Sequence, residues 1–279
     1  MLSNQLFSAE QQALKGHLTF YPAMGLKLHN HPIVLVHGWG VNSEIWQDLP
    51  QVLSDFADVY TLDLPGVAGT KPLDSYSEQS LVDWLHSEIP EPCYLIGLSL
   101  GGMLCRAFAA QFPDDVVGLV TLSTNLKFVA DTVYSQAMPV SDFELFSAMW
   151  DESPKVCLNR FFGLQAQGDQ SQRQLIKQLR QLNSNVDIDA GKSLLALLAN
   201  LDATQQINHI TCPTLSIFGG QDCLVPVTAA QQLPSKHKTL ILEKASHLPH
   251  LSCQLEVVEA IRSHIDGSKY QLDKHQVAQ

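Results

Sequence analysis

Six short apolar runs form a regular pattern along the first and last parts of the chain. Each run has four to seven residues, and most of them end at Gly, Asp or a small polar residue. Buried strands of a parallel sheet have this pattern, because helices cover both of their faces. The predicted strands are 33–36, 59–62, 93–96, 116–122, 214–218 and 239–242.

Segments with helical periodicity alternate with these strands. This alternation predicts an α/β fold in which a mostly parallel central sheet is flanked by helices on both faces. In such a sheet, functional side chains are expected in the loops that follow the carboxyl ends of the strands. The predicted helices of this part are 44–55, 78–89, 100–111, 226–233 and 254–266.

The stretch 125–200 interrupts the alternation, because it contains helical patterns and no strand-like run. We interpret it as a helical lid inserted into a core made of residues 17–124 and 201–266. The two ends, 1–16 and 267–279, are polar or mixed in character and are expected to be flexible. Within the lid, the helical patterns cover 143–150, 155–164, 170–182 and 190–201.

Composition narrows the class of protein. The chain has 279 residues, 45% of them hydrophobic and 16% charged, as is typical of a folded globular protein. No apolar run approaches the roughly 18 residues of a membrane span, and the first ten residues do not resemble a secretory signal. We therefore expect a cytoplasmic protein that does not enter a membrane and whose six cysteines are reduced thiols.

Charge and histidine spacing exclude further classes. The net charge of −11 disfavours nucleic acid as a partner, because phosphate binding depends on Lys and Arg. Two close histidine pairs, His29 with His31 and His247 with His250, lack Cys or carboxylate neighbours at the spacing of metal ligands. The sequence predicts neither a metal nor an organic cofactor.

A candidate nucleophile lies at Ser99, within Gly97-Leu98-Ser99-Leu100-Gly101. The pattern G-x-S-x-G is common by chance, but here it follows a predicted strand and precedes a predicted helix. A sharp turn between the two exposes the hydroxyl and directs the first N–H groups of the helix towards an oxyanion. The competing interpretation is a tight glycine turn with a capping serine.

A serine nucleophile needs a base, and a carboxylate orients that base. His247 follows the last predicted strand, and Asp222 follows the strand 214–218, so both are expected at the sheet edge that carries Ser99. His250 is a less favoured alternative base. The chain order Ser, Asp, His is the order found in α/β hydrolases.

The segment His37-Gly38-Trp39-Gly40 closes the first predicted strand of the core. Glycines on both sides of Trp39 allow its backbone N–H to approach a ligand. Together with the N–H of Leu100, it is a candidate donor to a tetrahedral oxyanion. The alternative is a glycine turn with a core tryptophan.

These motifs resemble the α/β-hydrolase superfamily and, within it, the family of pimeloyl-[acyl-carrier protein] methyl ester esterases of biotin synthesis. Asn42 and Trp46 are similar to the opening of that family, and Gly168 to its lid segment. The residues that carry the resemblance lie in 37–40, 63–66, 97–102, Asp222, His247, Arg160-Phe161 and Leu164-Gln165.

The resemblance implies hydrolysis of the methyl ester of a pimeloyl group on acyl carrier protein, by a cytoplasmic monomer. It implies that Trp39 and Leu100 hold the oxyanion and line the pocket, and that Phe161 and Gln165 border the substrate. It also implies that three basic lid residues, Arg160, Arg173 and Lys177, meet the acidic carrier protein.

The chain departs from this family at Val156, where a basic residue is expected, although Lys155 is adjacent. The loop 66–70 and the lengths of both ends also differ from the family pattern. Residues 153–182 still carry five basic residues against Asp169, a local charge of +4 that leaves −15 for the rest of the chain. Because salt screens distant charges, this local field can receive an acidic partner.

Three alternatives remain open at this point. Arg173, Lys177 and Arg180 share one helix face, which is either a docking face or an ordinary solvated face. The chemistry is either that of the methyl ester esterase or that of a general short-chain esterase or another hydrolase, such as one that breaks a C–C bond. A non-catalytic binding protein of the same fold is the third alternative.

Overall fold

A central sheet of eight strands organises the protein in a computed structural model, which describes residues 12–15, 17–182 and 185–267. The strands lie in the order β1-β2-β4-β3-β5-β6-β7-β8. Their bounds are β1 (Gln12–Lys15), β2 (Leu18–Tyr21), β3 (Ile33–Val36), β4 (Val59–Leu62), β5 (Cys93–Leu98), β6 (Val116–Leu122), β7 (Thr214–Gly219) and β8 (Lys238–Leu242).

Strands β3 to β8 pair in parallel, so all six predicted strands are confirmed. The edge strand β1 and its neighbour β2 were not predicted; they pair antiparallel with each other, and β2 pairs antiparallel with β4. Strand β1 lies within the segment 1–16, which the sequence predicts to be flexible. The rest of the ends expected to be flexible, apart from Gly267, lies outside the described residues.

Nine α-helices surround the sheet in the described residues. The predicted helix 44–55 is divided, because Gln47 has a φ of +49° that ends a 3-10 helix at Ser43–Trp46 before α1 begins. The segment predicted at 226–233 is a 3-10 helix, Val227–Gln232. The helices are α1 (Leu49–Leu53), α2 (Glu78–Glu88), α3 (Leu100–Gln111), α4 (Val140–Glu152), α5 (Pro154–Ala166), α6 (Gln172–Gln181), α7 (Ile188–Asn200), α8 (Pro249–Ser252) and α9 (Gln254–Ile265).

Successive side chains of the central strands enter two different cores. Val34 and Val36 of β3 join the cluster that includes residues of α2, α3 and α7, whereas Ile33 and Leu35 join the cluster with α1 and α9. Both faces of the sheet are thus buried, which explains why β3 is apolar at every position. Parallel strands covered in this way bring their carboxyl ends to one common edge.

Helices α4 to α7 lie between β6 and β7, where the lid was predicted. An aromatic cluster joins them to the core: the ring of Trp39 lies 5.4 Å from Phe146, 5.1 Å from Trp150 and 5.0 Å from Phe161 in edge-to-face contacts. Trp39 also donates from its indole N–H to the carbonyl of Gly191 on α7, at 2.8 Å. The insertion therefore packs firmly on the loop that follows β3.

Two features of the chain bear on its environment. All six cysteines are free thiols. None of the helices within the described residues has the length and apolar character that crossing a membrane requires.

Candidate active site

Ser99 occupies a sharp turn between β5 and α3. Its backbone has φ of +52° and ψ of −117°, a conformation that L-residues adopt only under local constraint. The turn is possible because Gly97 faces the helix backbone: a Cβ on Gly97 would lie 2.5 Å from the carbonyl oxygen of Gly101. The N–H of Ser99 donates to the carbonyl of Leu122 on the neighbouring strand, at 2.9 Å. The predicted strand–turn–helix context is thus present.

His247 and Asp222 form a buried pair. Nδ1 of His247 lies 2.8 Å from Oδ2 of Asp222, and neither side chain is exposed to solvent. Oδ1 of Asp222 accepts the backbone N–H groups of Leu224 and Val225, at 2.8 and 3.0 Å. Nε2 of His247 is buried and has no hydrogen-bond partner among the described residues. This nitrogen is therefore available to take a proton at the sheet edge that carries Ser99.

The alternative base, His250, has a different environment. Its Nε2–H donates to the carbonyl of Ile45 at 3.2 Å, and its ring lies 5.1 Å from the ring of Trp46. Burial lowers the pKa of His250 to about 4. The structure thus pairs the carboxylate of Asp222 with His247 and directs His250 into the core.

The loop after β3 lies directly against Ser99. A Cβ on Gly38 would lie 3.2 Å from the carbonyl of Leu98 and 3.3 Å from Cβ of Ser99. In the described part of the chain, the backbone N–H groups of Trp39 and Leu100 have no hydrogen-bond acceptor. Both are donors of the kind that an oxyanion requires.

His37 holds this loop in place. Its Nε2 accepts the backbone N–H of Leu64 at 3.0 Å, so Nδ1 carries the proton and donates to the carbonyl of Gly38 at 2.8 Å. Burial lowers the pKa of His37, although the nearby Asp63 opposes the shift. A neutral His37 therefore serves as a fixed support rather than as a charged group.

A cavity of about 710 Å³ opens beside the Trp39 loop. Apolar side chains form most of its wall, several of them from α4, α5 and α7, and Asp142, Glu152 and Arg160 add charged groups. Trp39 and Leu224 belong to the wall, whereas Ser99 and His247 do not. The cavity is large enough for a small organic ligand or an acyl chain.

The two residues expected to border the substrate occupy different places. Phe161 is buried, lines the cavity and contacts the ring of Trp39. Gln165 is absent from the cavity wall; its backbone carbonyl accepts the N–H of His247 at 3.1 Å. Its side-chain oxygen is buried and has no partner among the described residues.

The basic lid residues are exposed. Arg160 lies on α5 at the cavity, and Arg173 and Lys177 lie one turn apart on α6. No carboxylate forms an ion pair with these three in the described residues. Leu175 and Leu179 of α6 are buried, so the helix presents its basic positions to solvent and its leucines to the protein.

Arg106 lies in α3, the helix that follows Ser99. The sequence predicts no role for it, because it is one polar position in a mostly apolar helix. Its fully buried guanidinium donates to the carbonyl of Asn125 at 2.7 Å and to the hydroxyls of Thr121 and Ser216 at 3.1 and 3.2 Å. Burial lowers its pKa to about 10. It thereby joins α3 to β6 and β7.

One group in the described residues has the composition of a metal site. Nε2 of His86 lies 3.3 Å from Oε2 of Glu91 and 3.5 Å from Oδ2 of Asp115. Glu91 and Asp115 precede β5 and β6, so the group lies at the amino edge of the sheet, opposite the candidate active site. It is unrelated to the chemistry of Ser99.

Comparison with known proteins places the chain among hydrolases. A model of the alpha/beta hydrolase family matches residues 33–260. The chain is 32% identical over 239 residues to the pimeloyl-[acyl-carrier protein] methyl ester esterase of Aeromonas hydrophila, covering 82% of this chain and 93% of that protein.

Two further likenesses extend the comparison. The biotin biosynthesis bifunctional protein BioHC of Cellvibrio japonicus is 35% identical over 250 residues; this is 88% of the chain, which spans about half the length of that relative (50%). A solved esterase, EaEST from Exiguobacterium antarcticum, superposes with a TM-score of 0.74 at 16% identity and covers 89% of this chain and 96% of that one. These results confirm the predicted fold class.

Proposed function

The chain belongs to the alpha/beta hydrolase family, and on that premise we propose that it is a serine carboxylesterase acting on the methyl ester of pimeloyl-[acyl-carrier protein]. The observation that carries the proposal is the buried Asp222–His247 pair, whose free Nε2 lies at the same sheet edge as Ser99. A serine hydroxyl in a strained turn, at the sheet edge that also carries such a pair, has the requirements for nucleophilic catalysis.

In the proposed first step, Nε2 of His247 takes the proton of Ser99 as the serine oxygen attacks the ester carbonyl. Asp222 accepts the hydrogen bond from Nδ1, which fixes the tautomer and stabilises the imidazolium. The tetrahedral oxyanion accepts hydrogen bonds from the backbone N–H groups of Trp39 and Leu100.

The intermediate then collapses. The bond from the carbonyl carbon to the methoxy oxygen breaks, and methanol leaves with the proton from His247. A water molecule, deprotonated by His247, attacks the acyl-serine, and cleavage of the new ester returns the proton to Ser99. The products are methanol and the free carboxylate at the end of the pimeloyl chain.

The substrate assignment rests on the relatives and is supported by the cavity. The Aeromonas hydrophila relative is named for this substrate. An apolar wall that includes Phe161, beside the loop of Trp39, suits an acyl chain whose ester must reach Ser99. A carrier-linked acyl group is long and flexible, so its reactive end can enter while the carrier stays outside.

The carrier protein is proposed to dock on the exposed basic residues Arg160, Arg173 and Lys177. These side chains have no carboxylate partner among the described residues, so an acidic partner displaces no internal ion pair. Their charges steer association, while the acidic remainder of the surface disfavours other orientations.

The first experiment tests the chemistry with p-nitrophenyl butyrate and a fluorophosphonate probe. Ser99→Ala should abolish turnover and labelling, since it removes the hydroxyl proposed to attack the ester. The control is Ser123→Ala, a buried serine at the end of the adjacent strand, which should still be labelled. Labelling that persists in Ser99→Ala would place the nucleophile elsewhere.

The second experiment separates the carrier-linked substrate from a small ester. Arg173→Glu with Lys177→Glu should lower kcat/KM on pimeloyl-[acyl-carrier protein] methyl ester and leave p-nitrophenyl butyrate unaffected. Lys238→Glu with Arg262→Glu makes the same change in net charge at exposed positions outside the insertion and serves as the control. Equal losses on both substrates would contradict docking and favour a general short-chain esterase.

Rescue of a biotin-auxotrophic bacterium that lacks this esterase tests the biological role. The wild-type chain should restore growth without biotin, and Ser99→Ala should fail. Active enzyme that hydrolyses the small ester but does not restore growth would also favour the general esterase.

A further inference from the structure

We propose that Asp169 is a positioning residue that holds His247 in its working place through Ser246. The inference rests on the proposed function, because it takes His247 to be the base. Asp169 lies just beyond the end of α5, in the insertion, and its carboxylate is buried. It has no Lys or Arg partner in the described part of the chain.

The carboxylate of Asp169 instead accepts hydrogen bonds from uncharged donors. Oδ2 accepts both the backbone N–H and the hydroxyl of Ser246, at 2.9 and 3.2 Å. Oδ1 accepts the backbone N–H of Ser171 at 2.7 Å and so fixes the direction of the carboxylate. Ser246 is fully buried and directly precedes His247, so the contact acts on the backbone of the base.

The same segment contacts His247 itself. The carbonyl of Gln165, in the last turn of α5, accepts the backbone N–H of His247 at 3.1 Å. Two successive peptide N–H groups of the histidine loop, those of Ser246 and His247, are therefore held by residues 165–169 of the insertion. The loop has no regular secondary structure of its own to fix it.

Residues 164–169 also hold the loop of the carboxylate partner. The thiol of Cys223 donates to the carbonyl of Leu164 at 3.3 Å. A Cβ on Gly168 would lie 3.1 Å from Cβ of Gln221. The insertion is thus packed on both sides of the Asp222–His247 pair, and its α5 end forms part of the frame of the active site.

The energetics favour a role beyond general stability. Without the carboxylate, the buried N–H and hydroxyl of Ser246 would lose their acceptor, and leaving a buried donor unpaired is unfavourable. A loop that moves towards water to pair these donors carries His247 with it. A shift of about 1 Å in a catalytic group is enough to lower the rate on the order of 100-fold.

The test compares Asp169→Ala and Asp169→Asn in the full-length protein with p-nitrophenyl butyrate. Asp169→Ala should lower kcat by about 10- to 100-fold, with KM changed less than about twofold. Asp169→Asn keeps one oxygen that can accept from Ser246, so it should recover most of the lost kcat. The matched control is Asp187→Ala, which removes another carboxylate of the insertion, one that caps α7 through Ala190 N–H at 2.9 Å.

A second readout does not depend on activity. The Nδ1 proton of His247, hydrogen-bonded to Asp222, should give a downfield NMR resonance, assigned by its loss in His247→Gln. This resonance should shift or broaden in Asp169→Ala and stay unchanged in Asp187→Ala. A purely structural role of Asp169 would instead lower the melting temperature in both variants and leave kcat per folded molecule unchanged.

The outcomes separate the two proposals. If Ser99→Ala abolishes hydrolysis and folded Asp169→Ala keeps the wild-type kcat, the role of Asp169 is overturned and the proposed function stands. If hydrolysis does not depend on Ser99, the proposed function fails, and the His247 resonance alone decides: an unchanged resonance in Asp169→Ala overturns the positioning role, and a shifted one supports it.

Discussion

Nδ1 of His247 lies 2.8 Å from Oδ2 of Asp222, and both side chains are fully buried. The other carboxylate oxygen accepts the backbone N–H groups of Leu224 and Val225. Because both carboxylate oxygens accept hydrogen bonds, rotation of the carboxylate away from the imidazole would break them. The pair is therefore rigid before any substrate binds, which is the condition for efficient electrostatic stabilisation.

The first prediction concerns this pair. Asp222→Asn keeps the oxygen that accepts from Leu224 and Val225 but places an amide donor against Nδ1 of His247. The imidazole is then driven towards the tautomer with a proton on Nε2, which cannot accept the proton of Ser99. We expect kcat for p-nitrophenyl butyrate to fall by about 10³- to 10⁴-fold.

Asp63→Asn is the control for this substitution. Asp63 follows β4 at the same sheet edge but accepts the backbone N–H of Ser43 at 2.6 Å and lies outside the His247 pair. Its replacement should change kcat by less than about tenfold. Similar losses in both variants would indicate a general effect of carboxylates at this edge.

Local sequence patterns predicted most of the fold and the place of the candidate site, for a physical reason. Strands such as Ile33–Val36 are buried on both faces and therefore apolar at every position. Ser99, Asp222 and His247 follow the carboxyl ends of such strands, so the topology alone brings them to one edge. Strand β2, with only part of its residues buried, has no such signal.

The supporting contacts could not be predicted in this way. Asp169 and Ser246 are 77 positions apart, and their contact depends on how the end of α5 packs on the loop after β8. In the sequence Asp169 counts only as one negative charge among basic residues. Likewise, the indole of Trp39 donates to the backbone carbonyl of Gly191, and a backbone carbonyl is present in every residue type, so the sequence does not indicate this contact.

The second prediction concerns that indole. Trp39→Phe retains an aromatic ring in the cluster but removes the hydrogen bond that the indole N–H donates to the carbonyl of Gly191. Trp46→Phe is a matched control, because Trp46 is also fully buried and its indole N–H has no partner among the described residues. In urea unfolding, Trp39→Phe should lower the free energy of unfolding by about 1–2 kcal/mol more than Trp46→Phe does. Equal losses would mean that the hydrogen bond adds no stability.

The third prediction tests the close approach of the loop after β3 to Ser99. In Gly38→Ala the new methyl group would lie 3.3 Å from Cβ of Ser99, so the loop must move away by a few tenths of an ångström. Because the Trp39 N–H moves with it, kcat should fall on the order of tenfold. Gly163→Ala in α5, where a Cβ meets no atom within 4 Å, should leave kcat unchanged. A fully active Gly38→Ala would argue against Trp39 as an oxyanion donor.

The fourth prediction concerns ionic strength. If Arg160, Arg173 and Lys177 steer an acidic carrier, kcat/KM on the carrier-linked ester should fall by about tenfold between 0.05 and 0.5 M NaCl, since salt screens the attraction. The neutral p-nitrophenyl ester should show little dependence over the same range. Parallel changes for both substrates would trace the effect to the active site rather than to docking.

The last prediction concerns stability against acid. Burial lowers the pKa of His250 to about 4, and His264 is lowered to about 4 for the same reason. In the unfolded chain a histidine titrates near its ordinary value of about 6.5. Between these two pH values the histidine is protonated in the unfolded state and neutral in the folded state. The free energy of unfolding therefore decreases as the pH falls from about 6.5 to 4.

His250→Gln removes this titration and keeps a donor for the carbonyl of Ile45, which accepts from His250 at 3.2 Å. The slope of the free energy of unfolding against pH should therefore decrease by up to about 1.4 kcal/mol per pH unit in this range. The double variant with His264→Gln should lose up to about twice that slope, because the two sites titrate independently. Urea unfolding at pH 4.5, 5.5 and 6.5 measures the slopes, and an unchanged slope in His250→Gln would mean that His250 accepts its proton in the folded protein as readily as in the unfolded one.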